Sequence, residues 1–526
     1  MGCFAALERE QEMRIVAAVL TVFALAAGPL YGGASEPPPP TPAQEQPEVL
    51  TRGPVHEAFA EPVNLQVQAG LVAPQQPPAN IEEMPPAERP EGAQFVWVPG
   101  YWSWDGDRNG YIWVSACWRA APPNMDWVPG YWARVPEGWE WVAGFWAPAN
   151  AQTIEYLPAP PAFDDVQPPG SPPSADDIWV PSCQYWYQDH YIQRPGYWLR
   201  EQPGWVWVPS HYIWTPRGYV FAEGHWDYSL DRRGVLFAPV YFPRPVYERA
   251  GFFCSPSIVI DIGMLQFSLF AYPRYCHYYF GDYYDDAYLR LGIYPPFESE
   301  RSHTWYDPIY RYDRWQNRRT EPRWEEHERH EYDLRRADRD LRPPRTYREM
   351  ETRQARLPEP QRRNLQIARP LSAVVAAKAT PLTFRKIDSG TQRKIATQAT
   401  GVHKFREERN RWESAATGQK TAQPLTERKG SVTPPIERKG SVPPPVEGRS
   451  AVSPPTERTP AFVSPRSVQV TKPETVNIPR PPVTGKPANS GKREVGPPPK
   501  PAEERQSTRE SKSQDANNNK EKDKKK

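Results

Sequence analysis

Trp97-Val-Pro-Gly-Tyr-Trp102 is the stretch whose reading decides the fold. The phrase returns unchanged as Trp127-Val-Pro-Gly-Tyr-Trp132 and altered as Trp141-Val-Ala-Gly-Phe-Trp146. Aligned on the leading residue, further copies start at Trp113, Trp179, Gln193, Trp207, Phe221 and Phe237. Nine copies therefore follow one another in steps of 14 or 16 residues, with a single step of 38. Recurrence at a fixed period marks a repeat architecture, in which one unit buries too little to fold alone and its neighbours supply the rest. An aromatic residue stands two places before the start in six copies: Phe95, Tyr111, Trp139, Tyr191, Trp205 and Tyr219. Gln184, Gln193 and Tyr212 replace aligned tryptophans, and Ser182, Ser210 and Val240 replace the glycine found at Gly100, Gly130, Gly144, Gly196 and Gly224.

Trp, Tyr, Phe and Val suit a pleated, half-buried surface. Asp105-Gly-Asp-Arg-Asn-Gly110, between two aromatic runs, predicts a hairpin turn, and Pro136-Glu-Gly138, Pro203-Gly204, Pro216-Arg-Gly218 and Arg232-Arg-Gly234 predict others. The expected class is mainly β: a Trp-rich antiparallel β-meander of ~14-residue repeats, then a Tyr-rich capping segment and a largely disordered or helical C-terminal region. Trp97 and Trp102 lie five residues apart, so an uninterrupted strand would send them to opposite faces. A bulge at Pro99-Gly100 restores the parity, while a type II turn fits Pro-Gly equally well. The bulge is preferred, because a second turn signal already closes each unit. It predicts a shared aromatic face of Phe95, Trp97, Trp102, Tyr111, Trp113, Trp118, Trp127, Trp132, Trp139, Trp141, Trp146, Trp179, Trp198, Trp207 and Trp226. It also places Tyr131 on a less buried opposite face and gives Gly130 a positive φ.

The fuller phrase, Gly-aromatic-any-Trp-Val-Pro-Gly-Tyr-Trp, resembles the YXWGXW (WXXGXW) repeat proteins, a secreted bacterial family with no established biochemical activity. The resemblance covers about residues 91–245. It implies export and names no reaction.

The rest of the chain is unlike the repeats. It has 526 residues, of which 67 are proline, and its mean hydropathy of −0.77 argues for less folded material than the length allows. A formal charge of +2 gives no reason to expect nucleic acid. Residues 1–36 read as a signal peptide, with an apolar run from Ile15 to Leu30 and small residues at Gly32-Gly-Ala34, so the mature chain is expected to lack a membrane span. The acidic stretch before Met13 fits a signal poorly and raises Met13 as an alternative start. Residues 37–90 read as a Pro-rich linker, 91–148 as a first repeat block, 149–177 as a Pro-rich spacer and 178–245 as a second block. Residues 246–317 read as a Tyr-rich β cap with strands at Ser257–Ile262 and Leu265–Phe270. Residues 318–415 read as charged helical segments, with Ile395, Ala399, Val402 and Phe405 on one face. Residues 416–526 form a Pro-rich tail, expected to be disordered, with ten-residue repeats around Glu427, Glu437, Glu447 and Glu457 and a basic end.

Cys117, Cys183, Cys254 and Cys276 remain after the signal, an even number in an exported chain. Three connectivities are open, and Cys117–Cys183 with Cys254–Cys276 is favoured. His211 and His225 share the fifth hexad position with Cys117 and Cys183, with His190 and His277 not far away in sequence, yet no pair has zinc spacing. His327 and His330 on a charged helix, and Asp282, Asp285 and Asp286 among tyrosines, read as solvated groups and a polar turn rather than metal ligands. No nucleophile elbow, P-loop, dinucleotide fingerprint or HExxH occurs, so no catalytic residue, cofactor or metal is assigned. The expected function is that of an exported, non-enzymatic envelope or matrix protein in the periplasm, cell envelope or extracellular matrix. The alternative is a module that binds polysaccharide, cell wall or other envelope proteins through exposed rings, and a third reading is an enzyme whose constellation is not legible in sequence.

Overall fold

Consecutive copies of the repeat pair with each other in the computed structural model, which describes residues 46–66, 68–162, 168–415 and 474–477. The first hairpin sets Phe95–Val98 against Cys117–Ala120 and Tyr101–Asp105 against Gly110–Val114. The second sets Met125–Val128 against Phe145–Pro148 and Tyr131–Val135 against Gly138–Val142. The third joins Asp177–Val180 to Tyr197–Arg200 and Cys183–Tyr187 to His190–Arg194. The fourth joins Trp205–Val208 to His225–Tyr228 and His211–Thr215 to Gly218–Ala222. The ninth copy has no hairpin partner of its own. It adds to the open edge of the first, with Leu236 opposite Cys117 and Val240 opposite Trp113.

Antiparallel strands thus dominate, but as small sheets of two to four strands rather than one continuous meander. The reason lies in the Pro-Gly of the hexad. Pro99-Gly100 interrupts one strand and Ser115-Ala116 interrupts its partner, so each side skips two residues and the register continues unshifted from Trp97–Trp118 to Trp102–Trp113. Proline has no N–H for the ladder. The ladder opens on both strands at once, which is neither the preferred bulge nor a turn. Parity is therefore not restored: Trp97 packs in one cluster with Trp118 and Phe237, and Trp102 in another with Trp113 and Trp132. The single shared aromatic face is replaced by several ring clusters.

Tight loops close the hairpins. In the third, Gln188 and Asp189 take φ of 44° and 65° between the paired Tyr187 and His190, the left-handed pair that matches strand twist in a two-residue turn.

The described part of the stretch read as a linker, residues 46–66 and 68–90, packs into the core. Val55 and Phe59 are fully buried, and short strands of this segment pair in turn with Val240–Tyr241, Tyr279–Phe280, Trp305–Tyr306, Trp139–Glu140, Phe253–Cys254 and Phe384–Lys386. An extended, proline-punctuated chain cannot form a sheet of its own, but it can cover the open edges of others.

In the cap, Leu269–Tyr272 and His277–Phe280 form a hairpin around buried Tyr275 and Tyr278. The expected second strand there is partly helix, since Ile262–Gln266 coils on an N-cap from Asp261 and buries Leu265. Further on, the helix Ser389–Ala415 lays Ile395, Ala399, Val402 and Phe405 onto the repeats. Asp227 binds both Arg119, at 2.6 Å, and Arg233, at 3.0 Å, and this buried triad ties the first hairpin to the fourth. The proposed signal sequence 1–36 lies outside the described residues. So does the tail, except for Glu474–Asn477, which is a strand paired with Thr153–Tyr156. No helix among the described residues is long and apolar enough to cross a membrane.

Candidate functional site

Each pair of hexads places ring against ring across the strands. Trp97 meets Trp118 at 5.0 Å between centroids, Trp102 meets Trp113 at 5.2 Å, Trp127 meets Trp146 at 5.2 Å and Trp132 meets Trp141 at 5.3 Å. Trp179–Trp198 and Trp207–Trp226 repeat this at 5.3 Å. Such tilted and edge-on pairs add about 0.5–1.5 kcal/mol beyond the area they bury. Around them, Phe95 and Tyr111 are buried and Trp139 is half-buried.

The hexad glycine serves this pairing. A Cβ on Gly130 would stand 2.5 Å from the Trp141 ring, one on Gly144 2.4 Å from Trp127, and one on Gly196 2.4 Å from Trp179. Gly100 and Gly224 stand in the same relation to Trp113 and Trp207, at 2.8 Å. In each case the ring belongs to the first residue of the partner hexad. None of these glycines has a positive φ, so close approach and not backbone freedom requires them, against expectation for Gly130. Ser182 and Ser210 follow the same rule, replacing glycine where the partner hexad begins with Gln193 and Phe221, whereas Ala116, whose partner hexad begins with Trp97, does not.

The openings in the ladder leave backbone groups to be satisfied from outside. Glu83 accepts from Gly100 N at 2.8 Å and from Ala116 N at 2.9 Å, closing the opening of the first hairpin. Glu57 accepts from Gly144 N at 2.8 Å and from the Trp141 indole at 3.2 Å in the second. Burial pushes both carboxyls up to about 7. The carbonyls are met by the long helix: Arg409 donates to Pro129 O and Ala143 O, both at 2.9 Å, and Arg406 to Gly100 O at 3.3 Å. In the fourth hairpin Gly224 N finds its own Ser210 hydroxyl at 2.9 Å. These are acids and bases in fixed structural roles, buried beneath the rings.

The model of the WXXGXW repeat in two copies matches residues 94–119, 123–147 and 203–227, which are the first, second and fourth hairpins. The chain carries WXXGXW repeats. Each match spans one hairpin, so two copies together make one structural unit. The third hairpin, where Gln184 faces Gln193, lies outside the matched residues of the WXXGXW repeats. No curated protein and no solved structure matches the chain.

The four cysteines are free. Cys117 is opposite Val98 and Leu236 in the first hairpin of the WXXGXW repeats, whereas Cys183 is opposite Arg194 in the third. Cys254 lies beside Glu83, and Cys276 follows a turn in the cap. The favoured disulfides are thus corrected: the shared hexad position of Cys117 and Cys183 does not bring their side chains together when the hexads belong to different hairpins, and Cys254 and Cys276 lie on separate elements. Burial pushes the Cys183 thiol up to about 12. His190, His211, His225 and His277 each donate Nδ1–H to the carbonyl two residues back, at 2.7–3.1 Å. Asp282 and Asp285 bind Arg342, and Asp286 binds Arg336. Among the described residues no three His, Cys, Asp or Glu side chains converge as metal ligands would.

Ring surface stays within reach in the third hairpin. Trp179 and Trp198 are half-buried and line a cleft of about 250 Å³ with Trp305, Tyr306 and Trp315. Arg311 stacks over Tyr306 at 4.6 Å there and is held by Glu300 at 3.1 Å. No hexad signal announced this cleft, because Trp305 and Trp315 come from beyond the repeats.

Proposed function

We propose that this chain is an exported, non-enzymatic envelope or matrix protein whose WXXGXW hairpins act as a structural and interaction scaffold. The supporting observation is that the repeat residues are used on one another. Rings pair across the strands, glycines make room for them, and buried Glu and Arg close the openings between. Fractionation of the producing bacterium with N-terminal sequencing of the processed chain tests the reading. A cytoplasmic protein with its first residues retained defeats it.

The cleft at Trp179 and Trp198 favours a second reading, a module that binds wall or matrix polysaccharide. Flat indole faces beside hydrogen-bonding charged groups suit a sugar ring. Pull-down on purified wall polysaccharide, compared with Trp179→Ala and Trp198→Ala, separates the two. Retention that both variants abolish supports binding, and no retention leaves the scaffold.

A further inference from the structure

The helices Pro308–Asn317 and Trp324–Ala337 enclose a cavity of about 300 Å³ against the cap, away from the repeats. Phe270, Tyr284, Phe297, Tyr310, Trp324 and Tyr332 contribute its aromatic wall. The rings brace one another: centroids are 5.6 Å apart for Tyr310 and Trp324, 5.4 Å for Phe297 and Tyr332, and 5.0 Å for Phe270 and Tyr284. A ring face is the negative pole of its quadrupole and attracts a cation that has lost its water.

Above about pH 8 the charge on the wall has the complementary sign. Asp313, Glu321 and Glu328 line the cavity against His327 and Arg335. Arg335 is held by Glu331 at 3.2 Å, and Glu321 meets His327 at 3.1 Å. Asp313 has a hydrogen bond from Gln266 at 3.0 Å and, among the described residues, no ion pair. Burial pushes its carboxyl up to about 8; Asp307 and Glu328 add to the rise, and the Gln266 bond and Arg233 oppose it. Tyr310 is 5 % exposed, and its hydroxyl is buried with no partner. A buried carboxyl without a counter-ion is costly, and the group that would relieve it is a cation.

The geometry points to this cavity as the binding site of a small organic cation, a quaternary or protonated amine, held among Tyr310, Trp324 and Tyr332 with its charge toward Asp313. An organic ammonium spreads its charge over carbon, is weakly hydrated, and offers apolar surface to the rings as well as charge to the carboxyl.

Calorimetric titration of the full chain at pH 8.5 with choline and with 3,3-dimethylbutan-1-ol tests this. The two probes share a shape and differ in the charged nitrogen. Choline is expected to bind at least about tenfold tighter than the neutral isostere. Asp313→Asn, which keeps the side-chain shape, and Tyr332→Leu are each expected to weaken choline about tenfold, with folding checked by circular dichroism. Equal binding of the two probes, binding of neither, or choline binding unchanged in both folded variants overturns the proposal.

Discussion

Gln184 and Gln193 face each other across the third hairpin, in the place where Trp102 and Trp113 pair in the first. Two departures from the repeat that are nine residues apart in sequence are thus one departure in space. Ser182 belongs to the same event, because no indole has to lie where its Cβ stands.

This coupling can be measured. Gln193→Trp alone is expected to be neutral or to cost about 1 kcal/mol, since the new ring meets Ser182. With Ser182→Gly added, urea denaturation should show a favourable interaction energy of at least about 0.5 kcal/mol. Strictly additive effects would show that the glycine does not serve the ring.

Gly130→Ala is expected to cost about 1–3 kcal/mol by overpacking against the Trp141 ring, and less in a Trp141→Phe background. A cost unchanged by the shorter ring would place the strain in the backbone instead.

Tyr131 is 2 % exposed and donates its hydroxyl to Glu413 at 2.6 Å, so the face opposite the hexad tryptophans is buried too. Tyr131→Ser should therefore cost about as much as Trp132→Ala, roughly 3–5 kcal/mol. Thermal melts ranking Tyr131→Ser well below Trp132→Ala would count against this packing.

The repeats with their cap, residues 91–312, should not melt cooperatively as an isolated fragment. They lack Glu57, Glu83, Arg406 and Arg409, which satisfy buried backbone groups at the ladder openings. Adding peptides 46–90 and 389–415 in trans should restore protection in hydrogen exchange. A sharp transition from 91–312 alone would refute the requirement.

Stability should fall as pH rises from about 6.5 to 8.5. Glu201 is buried with one oxygen unpartnered, and burial pushes its carboxyl from the ordinary 4.5 up to about 8. Between those values the folded chain keeps a proton that the unfolded chain has released, so stability is lost as pH climbs through the window. Buried His56 and His277, held at about 3, act in the opposite sense but only below about 6.5. Melting temperature followed across pH 6.5–8.5 should drop, and Glu201→Gln should flatten the drop. A rising profile, or a variant with the parent slope, contradicts this.

Local rules carried the reading a fair way. Aromatic and turn residues announced strands and hairpins, the nine-fold recurrence announced repeats, and the spacing of Ile395, Ala399, Val402 and Phe405 announced the helix face that is buried. The linker reading failed because proline content says that a segment cannot build its own sheet, not that it stays in solvent. The disulfide reading failed because equivalence in a repeat is not proximity.

By itself the sequence determined the unit: which residues recur, that they form antiparallel strands, and where the strands turn. Those properties are set by side chains within a few residues of each other. Only the tertiary structure decided that the unit is a pair of copies, that Pro99-Gly100 opens the ladder on both sides, and that Glu83 and Arg406 close it. The physical reason is that an opened ladder leaves N–H and C=O groups needing partners, and nothing nearby in the chain says which distant residue will supply them.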